Sequence, residues 1–189
     1  MTNFIFEKRN AISTENCSNL IEIFETSEYS KNEQHKYNGK IVKSGSSVVI
    51  TEEFLHKNKI WLNELNIFYS VLEYYFSEYV KNYFQSLHFI GSWRNETYSV
   101  MNRFNPGESF CDWHCEQGNL NKSSRIVAWM FYLNDVTDGG KTVFLNQKVG
   151  VKPESGKLVI WPSSWTHTHK GLISHTQTKY ILTGWFRFY

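Results

Sequence analysis

Cysteine is scarce in this 189-residue chain. Cys17, Cys111 and Cys115 are odd in number and show no Cys-x-x-Cys spacing. That argues against a disulfide framework and against a zinc ribbon, and the expected setting is a reducing, cytoplasmic one. Proline is equally rare, at three, and the eleven glycines keep no period, which removes collagen-like and low-complexity architectures. No apolar run approaches the ~18 residues needed to cross a bilayer. The opening stretch from Met1 to Arg9 lacks a basic flank followed by an apolar segment, so it does not read as a secretory signal. Neither charge sign dominates: 20 Lys and Arg against 18 Asp and Glu give +2, too even for a nucleic-acid binder recognised by charge. Neither a membrane nor a nucleic acid is therefore expected as a partner.

What the chain does have is aromatic surface. Fourteen Phe, eleven Tyr and seven Trp make 17% of the residues, enough to fill a sizeable core at this length. With 41% hydrophobic residues the chain should fold, and its length fits one domain over residues 1–189.

Phe4–Lys8 reads as a short strand, and Ser13 as the cap of a helix carrying Leu20, Ile21 and Phe24. Residues 29–46 are polar and read as a mobile surface loop. Residues 47–51 read as a short strand. The strongest helix covers about 59–84, where Trp61, Leu65, Phe68, Leu72, Tyr75, Tyr79 and Tyr83 recur every three or four residues. Ile60, Ile67, Val71, Phe76, Val80 and Phe84 are expected to widen its apolar face. After residue 95, β-rich runs alternate with turn signals: 98–104, 125–133, 142–145, 157–161 and 179–188. Strands at that spacing without helices between them predict a β sandwich or barrel. Helical support is expected over about 1–95 and a β core over about 96–189.

Four of the seven histidines, His114, His167, His169 and His175, lie in the β-rich half. His114 and Glu116 are one residue apart, so on an extended strand their side chains share a face. A histidine from a second strand, His167 or His169, would complete a two-histidine, one-carboxylate face of the kind that binds non-haem Fe(II) with coordination positions left open. Lys179 sits ten residues beyond His169 inside an apolar strand, where a cation needs an anionic partner such as a bound dicarboxylate. Asp112 shares the parity of His114 and Glu116 and is an alternative carboxylate, although an exposed acid is its simpler reading. Arg125 reads as a strand-edge charge, with a place near the cosubstrate as the alternative; Cys115 reads as packing and His175 as a loop residue. No role is read for His35, His56 or His88.

In order along the chain stand Arg103-Phe104-Asn105-Pro106-Gly107-Glu108, Trp113-His114-Cys115-Glu116, Phe131-Tyr132-Leu133-Asn134-Asp135-Val136 with Gly139-Gly140-Lys141-Thr142-Val143-Phe144, Gly156–Pro162, and the segment from His169 and Gly171 to Lys179 and Trp185. This series resembles the 2-oxoglutarate/Fe(II) dioxygenase superfamily, in its prolyl 4-hydroxylase-like branch, over about residues 98–188. The resemblance implies a double-stranded β-helix: a mostly β, α+β jelly-roll or cupin-like barrel buttressed by N-terminal helices. It implies His114, Glu116 and His169 as iron ligands, with the spacing to Lys179 favouring His169 over His167. It implies Lys179 and Tyr132 on the distal carboxylate of 2-oxoglutarate, Thr142 lining that pocket, and Trp185 as an aromatic wall. Trp113 and Trp165 are expected at the substrate rim, and His167 beside the ligands or facing substrate.

The implied cofactor set is Fe(II), 2-oxoglutarate and O2, with ascorbate accompanying them. The implied reaction is hydroxylation of a C–H bond with release of succinate and CO2. The expected substrate is a prolyl residue in a peptide or protein, with a free amino acid or other small molecule as the alternative; a non-catalytic metal-binding jelly-roll module is the rival of another class. Glu116 stands where Asp is commoner, and Phe104 where Tyr is commoner. The composition suits a small bacterial or phage-encoded protein, which would place it in the bacterial or host cytoplasm.

Overall fold

The computed structural model describes residues 3–84 and 91–189; His88 and the first two residues lie outside that range. In chain order the elements are β1 (Phe6–Lys8), α1 (Thr14–Glu25), β2 (Lys31–Tyr37), β3 (Lys40–Thr51), α2 (Glu52–Lys57), α3 (Lys59–Tyr83), β4 (Trp93–Phe104), β5 (Arg125–Tyr132), β6 (Thr142–Phe144), β7 (Val149–Val151), β8 (Lys157–Pro162), β9 (His169–Gly171) and β10 (Lys179–Phe188).

Helix α1 starts where the sequence predicts. Ser13 is extended, and its hydroxyl accepts the Asn16 N–H at 3.1 Å, satisfying one of the free donors of the first turn. Helix α3 buries Trp61, Leu65, Phe68, Leu72, Phe76 and Tyr79, a stripe at spacings of three and four. The expected widening fails at Ile60 and Ile67, which are exposed, because each lies about 100° around the helix from a stripe residue beside it. Helix α2, capped by Thr51, was not anticipated.

Residues 29–46 are not a loop. They form most of the β2–β3 hairpin, whose strands pair antiparallel and turn at Asn38 (φ 47°) and Gly39 (φ 76°). Asn-Gly is the pair that best tolerates two successive positive φ angles, so the turn signal was present. Polarity concealed it, because β2 is an exposed edge strand with no core to fill.

Seven strands form one antiparallel sheet in the order β1-β8-β5-β10-β4-β3-β2, and a smaller sheet runs β7-β6-β9. The first half of the chain is therefore more than helical support, since β1, β2 and β3 belong to the main sheet. Strand alternation divides the side chains between two cores. Val127, Trp129, Phe131, Leu158, Ile160, Leu182 and Phe186 face α1 and α3. Ala128, Met130, Tyr132, Val159, Trp161 and Trp185 face the smaller sheet, with Phe144 and Val151 packed against them. The layers are thus helices, large sheet and small sheet, and the opening between the two sheets holds the site. Among the described residues no helix is long and apolar enough to cross a membrane.

Candidate functional site

His114 and Glu116 do not lie on a regular strand. His114 forms an isolated antiparallel bridge with His169, and Glu116 begins a turn. Three backbone bonds do the work expected of strand alternation. The His114 N–H donates to the His169 carbonyl at 3.0 Å, the His169 N–H donates back at 2.9 Å, and the Glu116 N–H donates to the Ser163 carbonyl at 3.0 Å. His169 opens β9 opposite Phe144 of β6, which fixes its side of the small sheet.

The ligating atoms of His114, Glu116 and His169 all lie within 4.8 Å of one another. Glu116 Oε1 is 3.9 Å from His114 Nε2 and 3.4 Å from His169 Nε2. Each imidazole is turned by its other nitrogen: His114 Nδ1 bonds the Asp112 carbonyl at 2.9 Å, and His169 Nδ1 bonds the His167 carbonyl at 2.8 Å. A carbonyl only accepts, so Nδ1 carries the hydrogen and the Nε2 lone pairs point at the shared centre. Phe110 stacks on His114 with ring centroids 3.6 Å apart, and Trp161 meets the His169 ring edge-on.

Burial, reinforced by the charge of His169, lowers the pKa of His114 to about 4. Burial alone would raise that of Glu116, but the hydrogen bond and charge of His169, the charge of His114 and the Trp185 N–H together bring it down to about 2. A neutral imidazole beside an ionised carboxylate is the donor state a cation requires.

The triad opens onto a cavity of about 650 Å³ between the sheets, lined by both of them and by the β2–β3 hairpin. Lys179 lines its deep end. The side chain is 4% exposed, and Nζ donates to the carbonyls of Gly140 at 3.0 Å and Leu172 at 3.4 Å. No carboxylate among the described residues pairs with it, and burial lowers its pKa to about 8. Thr142, Phe104 and Trp185 line the same cavity.

Two expected positions, Tyr132 and His167, are corrected. Tyr132 does not line the cavity: it is fully buried behind Thr142, and its hydroxyl donates to Thr142 Oγ1 at 2.7 Å. The His167 side chain turns away from the triad into the protein, with Nε2 donating to the Asn3 carbonyl at 2.9 Å, so it does not face a substrate. The reason is local: 165–167 is a tight 3-10 turn, and β9 begins only at His169, so the two histidines do not share a strand face. Trp113 and Trp165 lie outside the cavity lining; Trp113 stacks under Lys170, and Trp165 is 75% exposed.

The cavity also holds Arg125, for which the strand-edge reading fails, and residues outside the motifs. Arg125 is buried beside Trp185, and Glu96, Asn102 and Thr183 line the walls. Asn102 Oδ1 and Trp161 Nε1 have no hydrogen-bond partner among the described residues, so the wall offers unspent polar groups to a ligand. Two signals could have found part of this set. Ile181, Thr183 and Trp185 share the strand parity of Lys179, and Arg125 is a charge opening an apolar run, as Lys179 is.

The sequence model of the 2OG-Fe(II) oxygenase superfamily matches residues 99–187. That match takes in strands from β4 to β10. The matched segment includes the triad, Lys179 and every strand of the small sheet. Over 42 residues the chain is 43% identical to prolyl 4-hydroxylase subunit alpha-1 of Homo sapiens, a stretch covering 22% of this chain and 8% of that one. The chain thus spans under a tenth of that relative's length.

Solved structures share this fold over nearly the whole chain. The viral collagen prolyl hydroxylase of Paramecium Bursaria Chlorella virus-1, in its 2OG complex, superposes with a TM-score of 0.61 at 17% identity, covering 99% of this chain and 97% of that one. A Pseudomonas putida prolyl-4-hydroxylase superposes at 0.68 with 15% identity, covering 100% and 94%. The donor set, two imidazoles and one carboxylate with an open side, fits Fe(II).

Proposed function

We propose that the protein is an Fe(II)- and 2-oxoglutarate-dependent hydroxylase acting on a C–H bond, with a prolyl residue of a peptide or protein as its substrate. One juxtaposition carries the reading: a compact His114–Glu116–His169 face and an unpaired, buried Lys179 line the same cavity. The first suits a divalent cation and the second suits the far carboxylate of a dicarboxylate. The prolyl class rests on the relatives, which include a viral collagen prolyl hydroxylase and a bacterial prolyl-4-hydroxylase.

When bound, Fe(II) and 2-oxoglutarate supply the oxidative decarboxylation that activates O2, releasing succinate and CO2. The protein supplies placement. His114, Glu116 and His169 would hold the metal where the triad opens onto the cavity. Lys179 anchors the distal carboxylate by charge-assisted hydrogen bonds. Thr142 lines the wall beside the anchor, its hydroxyl held from behind by Tyr132. Phe104, Met130, Ile181 and Trp185 give the cavity apolar surface that limits water where a reactive oxidant must be contained. The whole chain, 1–189, acts as one catalytic domain in this reading.

The test is anaerobic titration with Fe(II) and 2-oxoglutarate. A weak visible charge-transfer band should develop and be lost in His114→Ala. In air, succinate should form in step with hydroxylation of a prolyl peptide library. No band and no succinate with peptide or amino-acid libraries would refute the assignment. Turnover with free amino acids alone would keep the hydroxylase and overturn the substrate.

A further inference from the structure

Glu116 presents its two oxygens to different surroundings. Oε1 is the atom that faces the two histidines. Oε2 points the other way, where it accepts the indole N–H of Trp185 at 2.8 Å and lies 3.9 Å from an Arg125 guanidinium nitrogen. Arg125 is itself held on three sides. Its guanidinium carbon lies over the Trp185 ring, 3.5 Å from the centroid; its Nε donates to Glu96 Oε2 at 2.9 Å; and its carbonyl accepts from the Gln117 side chain. Glu96 is fixed in turn by Arg187, whose guanidinium lies 3.4 Å from Glu96 Oε1.

Arg125 is only 6% exposed and Glu96 is mostly covered, so the inner part of this chain of alternating charge is shielded and ends on the carboxylate of the triad, with Arg187 at its partly exposed outer end. A glutamate has one more rotatable bond than an aspartate and loses more freedom when its carboxylate is fixed at a metal. A planar guanidinium stacked on an indole ring is a rigid way to restrain it, which a flexible ammonium could not duplicate.

We propose that Arg125 is a positioning residue for Glu116: stacked on Trp185 and tethered by Glu96, it holds Oε2 so that Oε1 is presented to the metal. The inference rests on the metal-site reading above. It assigns Arg125 to the metal's support and not to substrate contact.

The test is Mn2+ binding, read by the loss of free-ion electron paramagnetic resonance signal, without 2-oxoglutarate or substrate. Wild type is compared with Arg125→Met, Glu96→Gln, Trp185→Phe and the Arg125→Met/Trp185→Phe double variant. Orienting partners of metal ligands are worth about 10–100-fold in affinity, so each single change should weaken Mn2+ by about tenfold or more. The double variant should lose less than the product of the two singles, because both residues act on one oxygen. Glu96→Gln is the decisive arm, since Glu96 reaches the triad only through Arg125.

Unchanged Mn2+ affinity in Arg125→Met and Glu96→Gln, with only the KM for a peptide raised, would overturn the proposal and make Arg125 a substrate contact. Should Arg125→Met fail to fold, Arg125→Lys replaces it, with weakened Mn2+ binding expected and wild-type binding counting against the proposal. Failure of the wild type to bind Mn2+ would be a different result, refuting the metal site itself.

Discussion

His114 and His169 exchange both backbone hydrogen bonds, N–H to carbonyl in each direction, at 3.0 and 2.9 Å. The two imidazoles are thereby set side by side, with ring centroids 4.4 Å apart, and their Nδ1 bonds to the Asp112 and His167 carbonyls turn them. A reciprocal pair of this kind is the smallest unit of an antiparallel ladder. Here it spans two sheets' worth of intervening chain and needs no regular strand on the His114 side.

That bridge separates the two neighbouring histidines. His169→Ala should abolish metal binding, measured by calorimetric titration with Mn2+ or Co2+. His167→Ala should spare it, because its imidazole is engaged with Asn3 and only its carbonyl orients His169. The variant should instead cost stability, about 0.5–1.5 kcal/mol for the lost hydrogen bond to the Asn3 carbonyl, which lies on an exposed residue and can be hydrated. Metal binding kept in His169→Ala and lost in His167→Ala would reverse the assignment.

Lys179 predicts a pH dependence. Burial lowers its pKa to about 8, and an amine is charged below its pKa, so the ammonium that a dicarboxylate needs is present below pH 8 and lost above it. Affinity for 2-oxoglutarate, measured anaerobically on the metal-loaded protein, should be level below about pH 8 and then fall by up to about tenfold per pH unit. Lys179→Met should bind weakly and without that break. Equal affinity for wild type and variant across the range would remove Lys179 from the binding site.

Gly184 on β10 lies opposite Trp129 of β5, where an added Cβ would overlap the indole ring. That ring is fully buried and pinned by its N–H to Asn95 Oδ1 at 3.0 Å, so it has nowhere to retreat. Gly184→Ala should cost about 1–3 kcal/mol by overpacking. Chemical denaturation should show a lower midpoint, and a variant as stable as wild type would mean that the sheet gives way locally.

Ligands that bind only the folded state should stabilise it. With Mn2+ and 2-oxoglutarate at about 100 times their dissociation constants, each contributes about 2.7 kcal/mol. The wild-type Tm should rise on addition and return with a chelator. In His114→Ala the metal-dependent part of the rise should vanish, and an undiminished shift would place the stabilising metal elsewhere.

Much of this was legible along the chain because the signals are local. The α3 stripe at helical spacing, the Ser13 cap and the β10 run need only near neighbours to be read. What escaped depends on distant partners. The β2–β3 hairpin looked like a loop because an edge strand need not be apolar. Ile60 and Ile67 looked buried because helical spacing shows how wide an apolar face is, not how much of it the sheet covers. Tyr132 carries the right motif position, yet its hydroxyl is consumed by Thr142.

By itself, the order of residues determined the residue types of the site and their succession: His114 with Glu116, His169, then Lys179 and Trp185 on one strand parity. Motif spacing and strand period are properties of the chain, so they survive without coordinates. Only the tertiary structure decided which oxygen of Glu116 faces the histidines, which histidine turns inward, and that Arg125 is buried against Trp185 and Glu96 instead of standing at a solvent edge. These are relations between side chains far apart in sequence. They are settled by hydrogen bonds and packing across two sheets, which no local pattern records.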